Sequence, residues 1–332
     1  MKIYVTNVRE DEVQFINAWQ EAHGEHEVAY TTDMLTLETI QKLDGFDAVN
    51  ILQLNQISTD VFGALANKGI HIMNLRNVGI DNLDLAAAKE FGFQVSNVPS
   101  YSPNAIAEHA VMLMMRALRR TPESDARIAA HDFRWAPTIA RELRMQTVGV
   151  IGTGRIGRVV IDILQGFGAK VIVYDLHRSN ADLEAQGLYV DTLDELYAQA
   201  DIITLHMPET AANHHIINAA TLAKMRPRTI LVNVSRGGLV DVDAVLTALA
   251  DGNLAFYALD TYEGEFGIFN ADWRDKKLPD ARLEQLLARP DVLVTPHIAF
   301  YTETAVSEMV NQSLDAGVAF YNGELPSQNV EL

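Results

Sequence analysis

The sequence predicts an α/β protein built from two doubly wound parallel-sheet domains, the second inserted in the first. Three observations carry this reading. Short apolar runs alternate with helical patterns through the first hundred residues, and the alternation restarts with greater regularity at Thr147. Such alternation is what a parallel sheet with helices on its faces requires. The chain is also 332 residues long, more than the roughly 100–200 residues of one domain.

In the first domain the runs are Ile3–Val5, Val28–Tyr30, Ala48–Leu52, Ile70–Leu75 and Phe93–Val95. "SPNAIAEHAVMLMMRALRR", Ser102 to Arg120, then reads as one long helix with Ser102 as N-cap and Pro103 at the first helical position. It is apolar on most faces, so it is either deeply buried or shared with another subunit. "HDFRWAPT", after the next helical stretch, has no core pattern and reads as an arm. In the second domain the runs are Thr147–Ile151, Lys170–Tyr174, Asp201–Leu205, Thr229–Val234, Ala255–Leu259 and Val292–Thr295. Each is nearly continuous in apolar residues, as strands buried on both faces are. The final helical pattern, "ETAVSEMVNQSLDAGVAFYNGE", returns to the first domain. The expected division is 1–100 plus 300–332 for a substrate domain and 101–299 for the inserted one.

Composition narrows the function classes. The formal net charge is −18, which repels phosphate backbones and argues against nucleic acid as a partner. The chain has no cysteine, so disulfides, thiolate metal sites and cysteine nucleophiles drop out. No run of about 18 apolar residues is present to span a membrane. The N-terminal "MKIYVTNVREDE" lacks the apolar region of a signal peptide. A cytoplasmic protein without a metal site is the expectation.

"VGVIGTGRIGRVV" places Gly152, Gly154 and Gly157 directly after an apolar run and at the start of a helical pattern. Gly152 permits the tight turn, Gly154 lets the backbone approach a pyrophosphate, and Gly157 lets helix and strand pack closely. The helix N-terminus offers its unpaired N–H groups to the phosphates. Asp175 ends the next run, 18 positions after Gly157. A carboxylate there accepts hydrogen bonds from both adenine-ribose hydroxyls and repels the extra phosphate of NADP. The second domain is therefore expected to be a Rossmann domain that binds NAD.

Ligands of such sheets bind beyond the carboxyl ends of the strands. The runs there end in His206, in Ser235-Arg236, in Asp260 with Glu263 and Glu265 beyond, and in Pro296-His297. Arginine, carboxylate and histidine beside a dinucleotide suit hydride transfer to a carbonyl. A guanidinium holds a substrate carboxylate and polarises the neighbouring carbonyl. A histidine gives the proton, and a carboxylate beside it raises its pKa. His206 reads as lining the cofactor pocket rather than as the catalyst. His109, His214 and His215 receive no chemistry.

With "RNVGIDNLDL", "VSNVPSYSPNAIAEHA", "TVGVIGTGRIGRV", "VNVSRGGLVD", "ALDTYEGEFGIFN" and "VLVTPHIAFYT" in view, the chain resembles the D-2-hydroxyacid dehydrogenase family over essentially its whole length. It is most similar to the bacterial D-lactate and D-2-hydroxyisocaproate dehydrogenases. The resemblance implies Arg236 for binding and polarising a 2-keto acid, His297 as acid/base, and Glu265 as its partner. Of the two glutamates, Glu265 fits because the family's acid stands five positions after the strand-end aspartate, here Asp260. It implies that Asp260 contacts the nicotinamide carboxamide and that Arg155 and Ile156 lie along the pyrophosphate. Met207, Pro208, Asn213, Val234 and Ser235 match positions lining the cofactor. Val78-Gly79 matches the backbone cradle for the substrate carboxylate, and Tyr101 and Tyr301 match pocket positions. The implied activity is NAD-dependent reduction of 2-keto acids to D-2-hydroxy acids, with a homodimer formed through the NAD-binding domain. One position departs from the pattern. Lactate-preferring relatives carry a tyrosine in the segment matching "AVNILQLNQIS", where Leu52 stands here. That favours bulky aliphatic or aromatic substrates such as 2-ketoisocaproate or phenylpyruvate. The alternatives are a D-lactate dehydrogenase proper, preferring pyruvate, and a non-catalytic NAD-sensing protein like the corepressors related to this family.

Overall fold

The computed structural model of the chain describes residues 1–52, 55–80 and 82–332; Gln53, Leu54 and Asp81 of the quoted segments lie outside the described residues. The chain forms two compact units, Met1–Ser102 with Tyr301–Leu332, and Pro103–Phe300. Each has its own parallel sheet, so the doubly wound α/β class read from the sequence is what the chain adopts.

The first unit holds β1 (Lys2–Val5), β2 (Glu27–Tyr30), β3 (Ala48–Ile51), β4 (Ile72–Leu75) and β5 (Gln94–Ser96), in the order β2-β1-β3-β4-β5. All pairs are parallel. Period-two alternation splits each strand between two cores. Ile3, Val5, Ala48 and Ile72 join Ile16, Trp19 and residues of the C-terminal helix Glu303–Tyr321 on one face. Val49, Ile51, Met73, Leu75 and Val95 join Phe62 and Leu65 on the other. The carboxyl edge of this sheet is tied by one buried cation. Arg76, just beyond β4, donates to Glu12 Oε1 at 2.9 Å, to Asn50 Oδ1 at 2.7 Å and to the Thr6 carbonyl at 2.9 Å. Both Arg76 and Glu12 are fully buried. Burial lowers the guanidinium's pKa, and the Glu12 carboxylate works against that. Removing either partner would strand a buried charge, a loss of about 3–5 kcal/mol.

The second unit holds β6 (Thr147–Ile151), β7 (Lys170–Tyr174), β8 (Ile202–Leu205), β9 (Thr229–Asn233), β10 (Leu254–Leu259) and β11 (Val292–Val294). Their order is β11-β10-β9-β8-β6-β7. A single parallel bridge, Val173 to Tyr189, adds a rudimentary strand beside β7, which the apolar runs had not signalled. The strand order reverses between β6 and β8, the crevice where such sheets bind ligands.

The helix expected from Ser102 to Arg120 forms, and a second, shorter helix follows it. Pro103–Arg119 is the first; Arg120 then takes a φ of 51°, and Thr121–Ala129 follows. Ala107, Ala110, Leu113 and Met114 of the first helix are buried within this unit, where the helix packs on helix Arg155–Gly166 and on β9 and β10. Its apolar faces are therefore spent inside the unit. Large apolar side chains stand exposed in the segment after it, where Phe133, Trp135 and Ile139 are 76%, 91% and 90% exposed.

Candidate active site

The glycine loop shows in space why each glycine is there. Gly152 has a φ of 98°, and a Cβ on it would overlap the His206 carbonyl. A Cβ on Gly157 would overlap the Gly152 carbonyl oxygen, so this glycine seats helix Arg155–Gly166 against β6. Gly154 differs: a Cβ there meets no atom within 4 Å. Open space over a helix N-terminus, reached by bare backbone, suits a phosphate. Arg155 and Ile156 form the first turn of that helix.

Asp175 stands at the end of β7. Its Oδ2 accepts the Thr153 N–H at 2.6 Å and the Thr153 hydroxyl at 3.0 Å, and its Oδ1 accepts the His177 N–H at 2.9 Å. A carboxylate offers about four acceptor sites. With three filled by the protein, Asp175 has room for one ribose hydroxyl rather than the two expected from the sequence, unless the Thr153 hydroxyl turns away. Thr153 was not singled out from the sequence; its value comes from this contact alone.

The loops after β8 and β9 complete the edge. His206 sits beside the glycine loop with its Nε2 2.8 Å from Thr204 Oγ1, and burial lowers its pKa to about 3. Burial thus favours its neutral form, which does not suit it as the proton donor. Asn213 donates to the Pro208 carbonyl at 2.8 Å and accepts the Thr210 N–H at 2.6 Å, which folds the turn that follows Met207. Ser235 donates to the Leu205 carbonyl at 2.7 Å, beside the buried Val234. These residues fit a dinucleotide along the carboxyl edge of β6, β8 and β9.

Arg236 is exposed, with its backbone pinned by Asn233 Nδ2 donating to its carbonyl at 2.8 Å. The following glycines are obligatory here. A Cβ on Gly237 would overlap the Tyr262–Glu263 backbone, and one on Gly238 would overlap the Glu209 carboxylate. The Arg236 loop is thereby packed against the loop that carries Glu265.

His297 Nδ1 lies 2.6 Å from Glu265 Oε1, and the other Glu265 oxygen accepts the Tyr262 N–H at 2.9 Å. Burial pushes the His297 pKa down, but the hydrogen bond and charge of Glu265, with Asp260 behind, outweigh it. Arg236 opposes them, and the net position is above that of an ordinary imidazole. His297 also takes a φ of 56°, a region sparsely used by residues with a side chain. Asp260 holds it there. That carboxylate is 1% exposed. It accepts the Thr295 hydroxyl at 2.6 Å and the N–H groups of Ile298 and Ala299, both at 2.9 Å. Its backbone carbonyl accepts the His297 N–H at 2.7 Å. His109 Nε2 lies 2.9 Å from Thr295 Oγ1 and 3.5 Å from Asp260 Oδ1. His109 and Thr295 carried no signal in the sequence, because their partner lies some 35 to 150 positions away.

In the first unit, Val78 and Gly79 follow β4 and Arg76. Their carbonyls accept the side chains of Asn97 and Asn77, each at 2.6 Å. Their N–H groups have no acceptor among the described residues, which suits a carboxylate cradle. The Arg9 guanidinium lies 5.3 Å from the centre of the Tyr301 ring. Leu52 is half-buried, and its carbonyl accepts Asn7 Nδ2.

Comparison with known proteins agrees with this chemistry. Residues 111–299 match the model of the D-isomer specific 2-hydroxyacid dehydrogenase NAD-binding domain. The D-lactate dehydrogenase of Lactobacillus delbrueckii subsp. bulgaricus is 54% identical, over 97% of each chain. That of Leuconostoc mesenteroides subsp. cremoris is 52% identical over the full length of both. A solved D-2-hydroxyisocaproate dehydrogenase superposes with a TM-score of 0.93 at 40% identity, covering 99% of each chain.

Proposed function

The chain belongs to the D-2-hydroxyacid dehydrogenase family and is an NAD-dependent oxidoreductase, and within that activity we propose how its residues divide the work. Bound NADH supplies the hydride. Arg236 pairs with the carboxylate of a 2-keto acid and polarises the adjacent carbonyl. In the first unit, the backbone N–H groups of Val78 and Gly79 are assigned to a substrate carboxylate. His297 delivers the proton to the forming alkoxide, and Glu265 keeps the imidazole protonated and oriented. Asp260 acts on this pair from behind and offers its remaining acceptor capacity to the nicotinamide carboxamide. The single observation that carries the assignment is the 2.6 Å contact between His297 and Glu265, next to the Arg236 loop.

For the substrate, Leu52, Tyr101 and Tyr301 are proposed to shape the side-chain pocket. Leucine leaves more room than tyrosine and offers no hydroxyl, so 2-ketoisocaproate and phenylpyruvate are turned over at least as well as pyruvate. The second reading, a pyruvate preference, is favoured by the 54% and 52% identities to proteins named D-lactate dehydrogenase. Measuring kcat/KM for the three acids, in the parent and in Leu52→Tyr, decides between them. The variant should shift the ratio toward pyruvate by at least about 10-fold, since each methylene of room in such a pocket is worth about 10–200-fold. A parent that strongly prefers pyruvate would establish the second reading.

A cytoplasmic homodimer completes the proposal. The cysteine-free composition suits a reducing compartment. Phe133, Trp135 and Ile139 stand exposed within seven positions of one another, and grouped apolar side chains of this kind suit a protein interface. Sedimentation should therefore give twice the chain mass, and Trp135→Ser should weaken the association.

A further inference from the structure

Two adjacent histidines outside the proposed catalytic set converge on one carboxylate. His215 takes a φ of 51°, and this left-handed turn lays its imidazole against that of His214, with ring centres 4.0 Å apart and planes inclined by 21°. His215 Nε2 lies 2.8 Å from Glu263 Oε1, and His214 Nε2 lies 3.9 Å from the same oxygen. One donor atom from each of the three residues falls within 4.8 Å of the others. Each imidazole keeps one ring nitrogen, Nε2, turned toward the same Glu263 oxygen.

We propose that His214, His215 and Glu263 bind one divalent transition-metal ion of the zinc type. Two imidazoles and a carboxylate are a borderline donor set, matched to zinc and its neighbours rather than to magnesium or calcium. Metal–ligand bonds of about 2.0–2.2 Å require the two rings to turn toward each other, which side chains a quarter to a half exposed have room to do. The surroundings are arranged as they are behind metal-bound histidines. His214 Nδ1 lies 2.9 Å from Glu209 Oε1, which fixes the tautomer and turns the Nε2 lone pair outward. Glu209 in turn rests where a Cβ on residue 238 would stand, so Gly238 makes its position available. Arg282 approaches the far oxygen, Glu263 Oε2, at 3.5 Å and leaves Oε1 to the metal. Three protein ligands leave the fourth position to water.

The test is calorimetric titration of the full-length, metal-free enzyme with zinc chloride, repeated with cobalt(II) to record the visible spectrum of the bound ion. The parent should bind one equivalent with a cobalt spectrum of nitrogen and oxygen ligation. His214→Ala/His215→Ala should lose that equivalent. Glu209→Gln, which touches only the support behind His214, should weaken it by about 10–100-fold. A parent that binds no zinc, or the same binding in the parent and the double variant, would overturn the proposal.

Discussion

Replacing Asp260 by asparagine tests how much of the His297 geometry is stored in one buried carboxylate. Oδ1 accepts two donors, from Thr295 and Ile298, while Oδ2 accepts only the Ala299 N–H. The less costly placement of the new amide nitrogen is therefore at the Oδ2 position, where it faces the Ala299 N–H donor to donor. One hydrogen bond to a charged acceptor is lost, worth about 1.5–3 kcal/mol. A unit of this size loses about 2–4 °C of melting temperature per kcal/mol. The expected fall is thus about 3–12 °C, read by circular dichroism or calorimetry. The same release frees His297 from a φ of 56°, so kcat should drop, and by more than NADH affinity does. A variant with parental melting temperature and kcat, altered only in NADH affinity, would refute the clamp and leave Asp260 a cofactor contact alone.

Three other outcomes follow from the same geometry. Asp175→Ala removes the one charge-assisted hydrogen bond left for the ribose and should cost about 10–150-fold in kcat/KM for NADH; it should also improve the relative use of NADPH, measured as the ratio of the two kcat/KM values. Glu265→Gln removes the group that holds the His297 pKa up, so the loss of keto-acid reduction on raising the pH should set in at lower pH than in the parent, as a pH–rate profile would show. Arg236→Lys keeps the charge but loses the planar two-pronged donor, so the KM for the keto acid should rise steeply while NADH affinity measured by fluorescence stays near the parental value.

The strands were legible because parallel strands buried on both faces advertise themselves as unbroken apolar runs: Thr147–Ile151 and Lys170–Tyr174 coincide with β6 and β7. The glycine loop was legible for the same local reason, since turn, close approach and helix packing fall within six residues. The helix read from Ser102 to Arg120 was legible too, because its capping serine and proline and its unbroken apolar pattern are local, and it forms as Pro103–Arg119. What was not legible is whatever depends on distant partners. Tyr189 joins the sheet by a single bridge, too short to leave an apolar pattern. Asp175 was read as free for both ribose hydroxyls because Thr153, a small residue inside the glycine loop, gives no sign of donating twice to it. His109 looked like an ordinary helical residue, and only folding sets it beside Thr295 and Asp260.

The central claim, that His297 is the proton donor and its contact with Glu265 the working part of the site, is tested most directly by the turnover number of His297→Gln. With NADH and phenylpyruvate or pyruvate at saturation, kcat should fall by about 10²–10⁴-fold, the usual worth of general acid catalysis, with the dissociation constant for NADH unchanged. A variant that keeps a near-parental kcat would contradict the assignment and move the proton to another residue.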